Sequence, residues 1–313
     1  MATIRRPRKG SLQFWPRKRA KKPLPRVNWS SIVSEKKAKG FIGYKAGMAS
    51  AFVKDETPNS MTKGKKIIVP VTILECPPMK VFSVRFYKNG TVKTEVLAET
   101  HDKELRNRMR MPKKKPKKID EMNPDDFDDI TIICYSEVKK TGIKNRPDVS
   151  EIGLGGSIQE KMHFAKEHLG KEINVVDVFQ KRQVVDLRGI TKGKGFAGPM
   201  KRFGISLKSH KSEKGRRRPG SLGPWHPARV TYMTPMAGQL GMFTRNIFNN
   251  SVIDIGKAEG KFRGIKNYGD IKTDYMIIRG SVQGPAKRQL LITQPSRETK
   301  KQAKKVLELI EIR

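Results

Sequence analysis

Residues 179–202 read FQKRQVVDLRGITKGKGFAGPMKR, and the change of character inside this stretch organises the rest of the chain. Val184-Val185-Asp186-Leu187 has the short β-branched pattern of a strand. From Arg188 the apolar period stops, and glycines and cations take over. Gly193, Gly195 and Gly198 match the G-x-G-x-x-G spacing of dinucleotide sites. However, Pro199 and Gly204 make the required helix a poor one, and no acid lies about 20 residues on to hold a ribose. A Walker A loop fails too, because Gly189 stands too close to Gly193-Lys194 and Gly195 replaces the Ser or Thr. What remains is a loop whose backbone can approach phosphates closely, with Arg188, Lys192, Lys194, Lys201 and Arg202 supplying charge.

The glycine-rich basic character runs on to Arg229 with little apolar periodicity. Irregular stretches this long are uncommon in compact domains and are usually functional or disordered. Arg216-Arg217-Arg218 is an electrostatic footprint, since Arg binds phosphate bidentately and stacks on bases. Gly223-Pro-Trp-His-Pro227 then places Trp225 between prolines at a stiff tip. Trp225 could fold back as a core anchor, but its surroundings offer few apolar partners, so a presented aromatic is expected. The candidate contacts of the stretch are Gly193, Gly195, Phe196, His210, Lys211, Arg216, Arg217, Arg218, Trp225, His226, Arg229, Gln239 and Arg245.

Composition points the same way. The chain has 67 Lys and Arg against 30 Asp and Glu, a net charge of +37 over 313 residues, with a pI near 10.3. Such an excess repels itself unless a polyanion neutralises it, and phosphate backbones are the commonest cellular one. Residues 1–40 hold 13 of the cations and one acid, Glu35. Arg5, Arg6, Arg8, Lys9, Arg17, Lys18, Arg19, Lys21 and Lys22 surround Trp15, which against nucleic acid can stack on a base; Trp29 has the same option. With prolines and no apolar face, the segment is expected to be disordered when free. Extended, it would reach up to ~130 Å, the shape of an arm that threads into a partner.

No apolar run approaches the ~18–20 residues of a membrane span. No secretory leader is expected, and the prolines oppose an amphipathic presequence. Cys76 and Cys134 cannot build a disulfide scaffold, and the five histidines lack metal-ligand spacing, so no metal or catalytic residue is assigned. The two thiols read as small buried hydrophobes of a reducing compartment.

Between arm and loop lies an ordinary folded pattern. Phe41, Ile42, Tyr44, Ala51, Phe52 and Val53 flank the turn residues Gly43 and Gly47. Strands are expected at Ile67–Leu74, and at Val81–Phe86 and Thr91–Leu97 as a hairpin about Asn89-Gly90. A basic run, Met111-Pro-Lys-Lys-Lys-Pro-Lys-Lys118, precedes a reversal of sign. Residues 121–180 hold 12 acids and 7 bases. That α/β module is expected to face away from the polyanion. It has a strand at Ile130–Tyr135 and a helix opened by the capping box Ser157-Ile-Gln-Glu160 and closed at Gly170. Val175–Phe179, Val252–Ile255, Tyr275–Ile278 and Leu290–Thr293 are further strand candidates. Residues 298–305 suit a short basic helix, and Leu307, Leu309 and Ile312 an edge strand or helix turn.

The spacing Phe179-x6-Asp186-x2-Gly189-x-Thr191-x-Gly193-Lys-Gly195-x2-Gly198-x3-Arg202 resembles the full signature of universal large-subunit ribosomal protein three. Gly10-Ser-Leu-Gln-Phe-Trp-Pro-Arg-Lys-Arg-Ala-Lys-Lys22 is similar to the arm of the archaeal and eukaryotic branch. Gly43-Tyr-Lys-Ala-Gly-Met48, Gly223 to Pro227, Ala237-Gly-Gln-Leu-Gly241 and Arg279 to Arg288 follow in the expected order. The resemblance covers about residues 1–295 and favours an archaeal member.

It implies a mostly β chain: a six-stranded antiparallel translation-protein β-barrel (41–98 and 173–295), an α/β insertion (99–172), an N-terminal arm (1–40), a long loop (188–245) and a C-terminal tail (296–313). It implies a structural, non-enzymatic role in the cytoplasmic large ribosomal subunit. The partners would be large-subunit rRNA and neighbouring ribosomal proteins, with no membrane or small-molecule substrate. The loop would run toward the peptidyl-transferase centre with Trp225 at its tip, and the family takes part in early assembly. No cofactor is implied; any Mg2+ would belong to the rRNA. Eukaryotic members carry a modified histidine in this loop, but here Glu213 falls nearer that spacing and His210 is displaced, so the modification is not carried over. An RNA-modifying enzyme and a free basic binder are the competing classes. The first would need a cofactor loop better than Gly193–Gly198, the second a tail and loop that act without a fixed fold.

Overall fold

The computed structural model describes residues 8–35, 37–112, 117–211 and 214–313. Arg5, Arg6, Glu213 and part of the 111–118 run lie outside them. Along the chain come β1 (Gly40–Asp55), β2 (Lys66–Cys76), β3 (Met79–Lys88), β4 (Thr91–Leu97), β5 (Asp129–Ser136), β6 (Val149–Gly153), α1 (Ile158–His168), β7 (Glu172–Ile173), α2 (Val175–Val178) and β8 (Val184–Ile190). Then follow β9 (Phe196–Ala197), α3 (Pro199–Phe203), β10 (Gly238–Gln239), β11 (Thr244–Lys257), β12 (Asp274–Arg279), β13 (Gln289–Thr293), α4 (Lys300–Ala303) and β14 (Leu307–Ile312). The chain is mostly β, as expected.

Two compact units result. One comprises residues 1–23 and 190–244, the other residues 24–189 and 245–313. In the larger unit one sheet has the order β13-β8-β11-β12-β2-β1-β14, and β13 also pairs with β1, so six strands are hydrogen-bonded in a ring. β14 adds to β1 at Ala51–Asp55, which settles the C-terminal alternatives as an edge strand. A second sheet, β4-β3-β5-β6 with β7 on β3, is built from residues between β2 and β8. The hairpin at 81–97 belongs to this second sheet: β3 pairs β4 and β5, whereas the sequence reading grouped it with the ring. The hairpin turn itself has Asn89 and Gly90 at φ +50° and +69°, the left-handed pair a tight type I′ connection needs.

The core explains which sequence runs alternate and which do not. β12 is buried on both faces: Met276 and Ile278 pack with Leu74, Leu291 and β3, and Tyr275 and Ile277 pack with Val71, Ile253 and Ile271. Two-sided burial is why Tyr275–Ile278 reads as one apolar run. β5 behaves likewise, with Ile130, Ile132 and Cys134 on one side and Ile133 and Tyr135 on the other. Cys76 and Cys134 are free and buried. α1 starts at the capping box, where the Glu160 carboxylate accepts from the Ser157 amide at 2.9 Å and the Ser157 hydroxyl accepts from the Glu160 amide at 3.4 Å. It stops at Gly170, φ +76°, and buries Met162 and Ala165.

Several expectations change. Gly43 and Gly47 are not turns: β1 continues through them with a bulge between Lys45 and Gly47, and the glycines answer close packing, since a Cβ would lie 3.0 Å from Ile292 at Gly43 and 2.8 Å from Ile265 at Gly47. Val175–Val178 is one helical turn, not a strand. Val175 and Val178 are buried three apart while Val176 is exposed, and the Asp177 carboxylate accepts from the Asn174 amide at 3.0 Å. The expected 298–305 helix shortens to Lys300–Ala303.

The arm also ends earlier than residue 40. Leu24, Trp29 and Ile32 are buried in the main core. Trp29 fills a slot left by two glycines: a Cβ on Gly153 would lie 2.6 Å from the Trp29 Cβ, and one on Gly40 2.8 Å from its ring. The segment is then stitched down by Lys39 N to Gly153 O at 2.9 Å and Gly155 N to Lys37 O at 2.9 Å. Trp29 is therefore a packing residue, not a base-stacking one. Trp29→Ala should cost ~3–5 kcal/mol of stability by vacating a buried aromatic site. The urea midpoint of the free protein measures it, and an unchanged midpoint would contradict the assignment.

Candidate nucleic-acid interface

The smaller unit concentrates the charge, holding +19 of the +37 in 78 residues. Residues 1–23 and 190–244 contain 20 Lys and Arg and a single acid, Glu213. Ion pairs cannot organise such a segment, so its cations must find other acceptors.

Arg202 shows how. It sits on α3, a single turn opened by Pro199 and closed by Gly204 at φ +67°. Its Nε donates to Gln239 O at 3.0 Å, Nη1 to Met236 O at 3.0 Å and Nη2 to Arg17 O at 3.2 Å. Arg17 Nη1 donates back to Arg202 O at 2.6 Å. A Cβ on Gly238 would meet the Arg202 guanidinium at 3.0 Å, so the loop must be bare there. Burial lowers the pKa of Arg202, although a guanidinium stays charged in any case. Arg202 and Arg17 thus hold protein backbone, a use the sequence reading did not foresee.

Trp15 lies over the same junction. Its ring stacks on Phe203 at 5.5 Å and meets Tyr232 edge-on at 6.2 Å. Arg8 stands 5.6 Å from its centroid, and Arg17 lies over Phe203 at 4.3 Å. Arg8 Nη2 also donates to Met233 O at 3.0 Å, and Ala20 N donates to Met242 O at 2.8 Å. Residues 8–20 are therefore ordered against the root of the long loop.

The glycine-rich turn is braced from within. β9 pairs with β10, Lys194 N donates to Leu240 O at 2.9 Å and Leu240 N donates to Gly195 O at 2.9 Å. Gly195 takes φ +64°, and Gly241 takes φ +78° where a Cβ would lie 2.0 Å from Lys192 O. Lys192, Gly193, Lys194, Lys201 and Phe196 all face outward, Phe196 at 81% exposure. Gln239 spends its side-chain amide on Leu240 O and Gly241 O, both at 3.2 Å.

Farther along, His210, Lys211, Arg216, Arg217, Arg218, His226 and Arg229 are exposed. Arg216 Nε donates to Lys208 O at 3.4 Å, and Lys208 N donates to Arg216 O at 3.2 Å. Trp225 is 79% exposed and holds φ +76°. A left-handed backbone at a bulky residue costs of order 1–3 kcal/mol and gathers at functional sites. Trp225 is not a core anchor. Thr234 Oγ1, donating to Leu222 O at 3.1 Å, pins the neck below it.

In the arm Lys9, Lys18, Arg19, Lys21 and Lys22 are exposed. Two nominated residues sit in the larger unit instead. Arg188 is buried at 8% exposure within β8, where every residue is buried, and its Nε donates to Thr293 Oγ1 at 3.4 Å. Burial lowers its pKa, with Asp186 opposing. It cannot serve as an open phosphate contact. Arg245 is half-buried, and its carbonyl accepts from Gln283 Nε2 at 3.1 Å. Sequence reasoning missed Tyr232, 73% exposed beside Trp15; its place three residues after Arg229 was the available signal.

Among the described residues no group of three His, Cys, Asp or Glu could hold a metal ion. No helix among them is long and apolar enough to cross a membrane. The surface offers cations, bare backbone and flat aromatic faces.

Comparison with known proteins agrees with this surface. The chain is 40% identical to the large ribosomal subunit protein uL3 of Methanocaldococcus jannaschii, covering 92% of this chain and 91% of that one. It is 41% identical to the uL3 of Methanothrix harundinacea, covering 92% and 91%. It is 40% identical to that of Archaeoglobus fulgidus, covering 90% and 89%. All three relatives are archaeal. A family model described as Ribosomal protein L3 matches residues 1–313, including the C-terminal residues that carried no recognisable motif. The signature at 179–202, the charged unit and these matches agree: the chain belongs to the ribosomal protein L3 family and is a ribosome component, not an enzyme.

Proposed function

We propose that the chain is a structural constituent of the large ribosomal subunit that binds 23S-type rRNA through residues 8–23 and 190–244. The observation that carries this reading is the gathering of 20 cations and one acid in one unit whose outward groups include lysines, arginines, Phe196, Trp225 and Tyr232. Phosphate contacts supply the affinity and register, and exposed aromatics stack on unpaired bases. The exposed arm and loop residues act as contacts. Arg17, Arg202 and Gln239 act behind them by fixing the loop root.

The ring of six pairings supports a barrel of the translation-protein type, with the second sheet as the insertion. The acidic module faces away from RNA, since its acids pair internally, as in Lys161–Asp129 at 2.6 Å and Lys166–Asp120 at 2.8 Å. The family resemblance extends the reading to early subunit assembly, to neighbouring ribosomal proteins and to a loop that supports the peptidyl-transferase region. The protein would reside in the cytoplasm within the subunit, with Mg2+ only as part of the rRNA.

Sucrose-gradient sedimentation tests this directly. The chain should travel stoichiometrically with the large subunit through moderate salt; recovery only at the top of the gradient would overturn the reading. Replacing Arg216, Arg217 and Arg218 by Ala should lower the salt slope of rRNA binding by ~2–3, because fewer counterions are released; an unchanged slope removes their phosphate role. Trp225→Ala should leave stability within ~0.5 kcal/mol, as for an exposed residue, while perturbing tRNA selection or peptidyl transfer. A strong fall in the melting temperature of the free protein would return Trp225 to the core.

A further inference from the structure

The connection from β11 to β12, residues 258–273, forms no strand or helix, yet it is tightly built. Its anchor is Glu75 on β2, a fully buried carboxylate. Glu75 accepts from the Tyr268 hydroxyl, from Lys272 N at 2.8 Å, from Thr273 N at 3.0 Å and from Thr273 Oγ1 at 3.1 Å. Ionised carboxylates are costly to bury, and charge-assisted hydrogen bonds from several donors offset that cost. Burial, reinforced by Glu75, pushes the Tyr268 phenol well up, so it remains a donor.

Three further ties fix the loop. Ile265 N and Gly269 O pair at 3.0 Å, Ile271 N donates to Phe262 O at 3.1 Å, and Asp270 Oδ1 accepts from Gly264 N at 2.7 Å. Ile265 seats against Gly47, which has no room for a Cβ.

What this scaffold presents is charge. Lys261, Arg263, Lys266 and Lys272 are exposed, none forms an ion pair among the described residues, and Lys261 lies loosely over the Tyr275 ring, 5.9 Å from its centroid. The loop's carboxylates are Glu259 and Asp270, and Asp270 is engaged with Gly264. Phe262 turns inward onto Tyr275, edge-on at 4.9 Å. The surface therefore shows cations, an open glycine at 264 and Gly260 lying against the Arg263 guanidinium, but no outward aromatic. Protein interfaces centre on apolar and aromatic groups, whereas a phosphate backbone needs only cations and close backbone approach.

We propose that residues 258–273 are a second, preformed RNA-backbone platform, separate in sequence from the arm and the glycine-rich loop, with Lys261, Arg263 and Lys266 as its phosphate contacts. The proposal rests on the RNA-binding reading above and adds a surface that neither signature nor charge runs revealed.

The test is filter binding of the full chain to a transcript of Methanocaldococcus jannaschii large-subunit rRNA across a potassium chloride series. The triple variant K261A/R263A/K266A should keep the parent's urea midpoint and lose ~2–3 from the log–log salt slope. The variant K261R/K266R should keep the parent slope. A control triple at other exposed lysines, K63A/K65A/K93A, should lose less than half as much. A loop triple with the parent's slope overturns the proposal, and so does an equal loss in the control, which would mean bulk charge alone. A parent chain that fails to bind the transcript would overturn the RNA-binding reading itself.

Discussion

Arg202 gives its guanidinium to the main-chain carbonyls of Gln239, Met236 and Arg17, and Arg17 returns a hydrogen bond to Arg202 O. On this exchange the shape of the smaller unit depends. A segment with 20 cations and one acid has no carboxylates to spare, and among the described residues its buried apolar side chains are Ile190, Ala197, Phe203 and Phe243. Carbonyl oxygens are the remaining acceptors, and a planar fork of five donors suits several of them at once. Closing the loop root with two arginines leaves the lysines, the triple arginine, Phe196, Trp225 and Tyr232 turned outward. On the proposed function, an RNA backbone would relieve the self-repulsion among them.

The larger unit follows different rules. Many of its carboxylates are paired with cations, as in Arg85 with Glu95 at 2.9 Å and Lys144 with Asp148 at 2.5 Å. Its two sheets share a core in which Phe41, Leu74 and Met276 pack with Val84, Ile132 and Ile152. Where it buries charge it supplies full sets of partners. Asp186 accepts from Asn249 N at 2.8 Å, Ser296 N at 2.9 Å and Ser296 Oγ at 3.0 Å, which ties β8 to the start of β11 and the end of β13. Glu75 does the same for the 258–273 connection.

Sequence periodicity made the strands legible, because β-branched runs such as Ile67–Leu74 and Ile130–Tyr135 are buried on a face or on both. The hairpin at Asn89-Gly90 and the capping box at Ser157 were legible because their chemistry is local. Trp29 was not, since its slot is made by Gly40 together with Gly153, which is far away in sequence. Arg188 and Arg202 were counted as open charge for the same reason: composition records a cation but not the carbonyl or hydroxyl that occupies it. Val175–Val178 deceived through its β-branched residues, where a three-residue spacing of buried side chains decided for a helical turn. The signature at 179–202 identified the family because it records these long-range demands as fixed spacings.

A density map of the assembled large subunit carrying this chain would test the central claim most directly. The account predicts RNA enclosing residues 8–23 and 190–244, with Arg216, Arg217 and Arg218 against phosphates and Trp225 against nucleotides, while Arg202 keeps its three carbonyls. A map in which that charged unit faces solvent, or in which Arg202 has left Gln239, Met236 and Arg17 to bind phosphate, would contradict it.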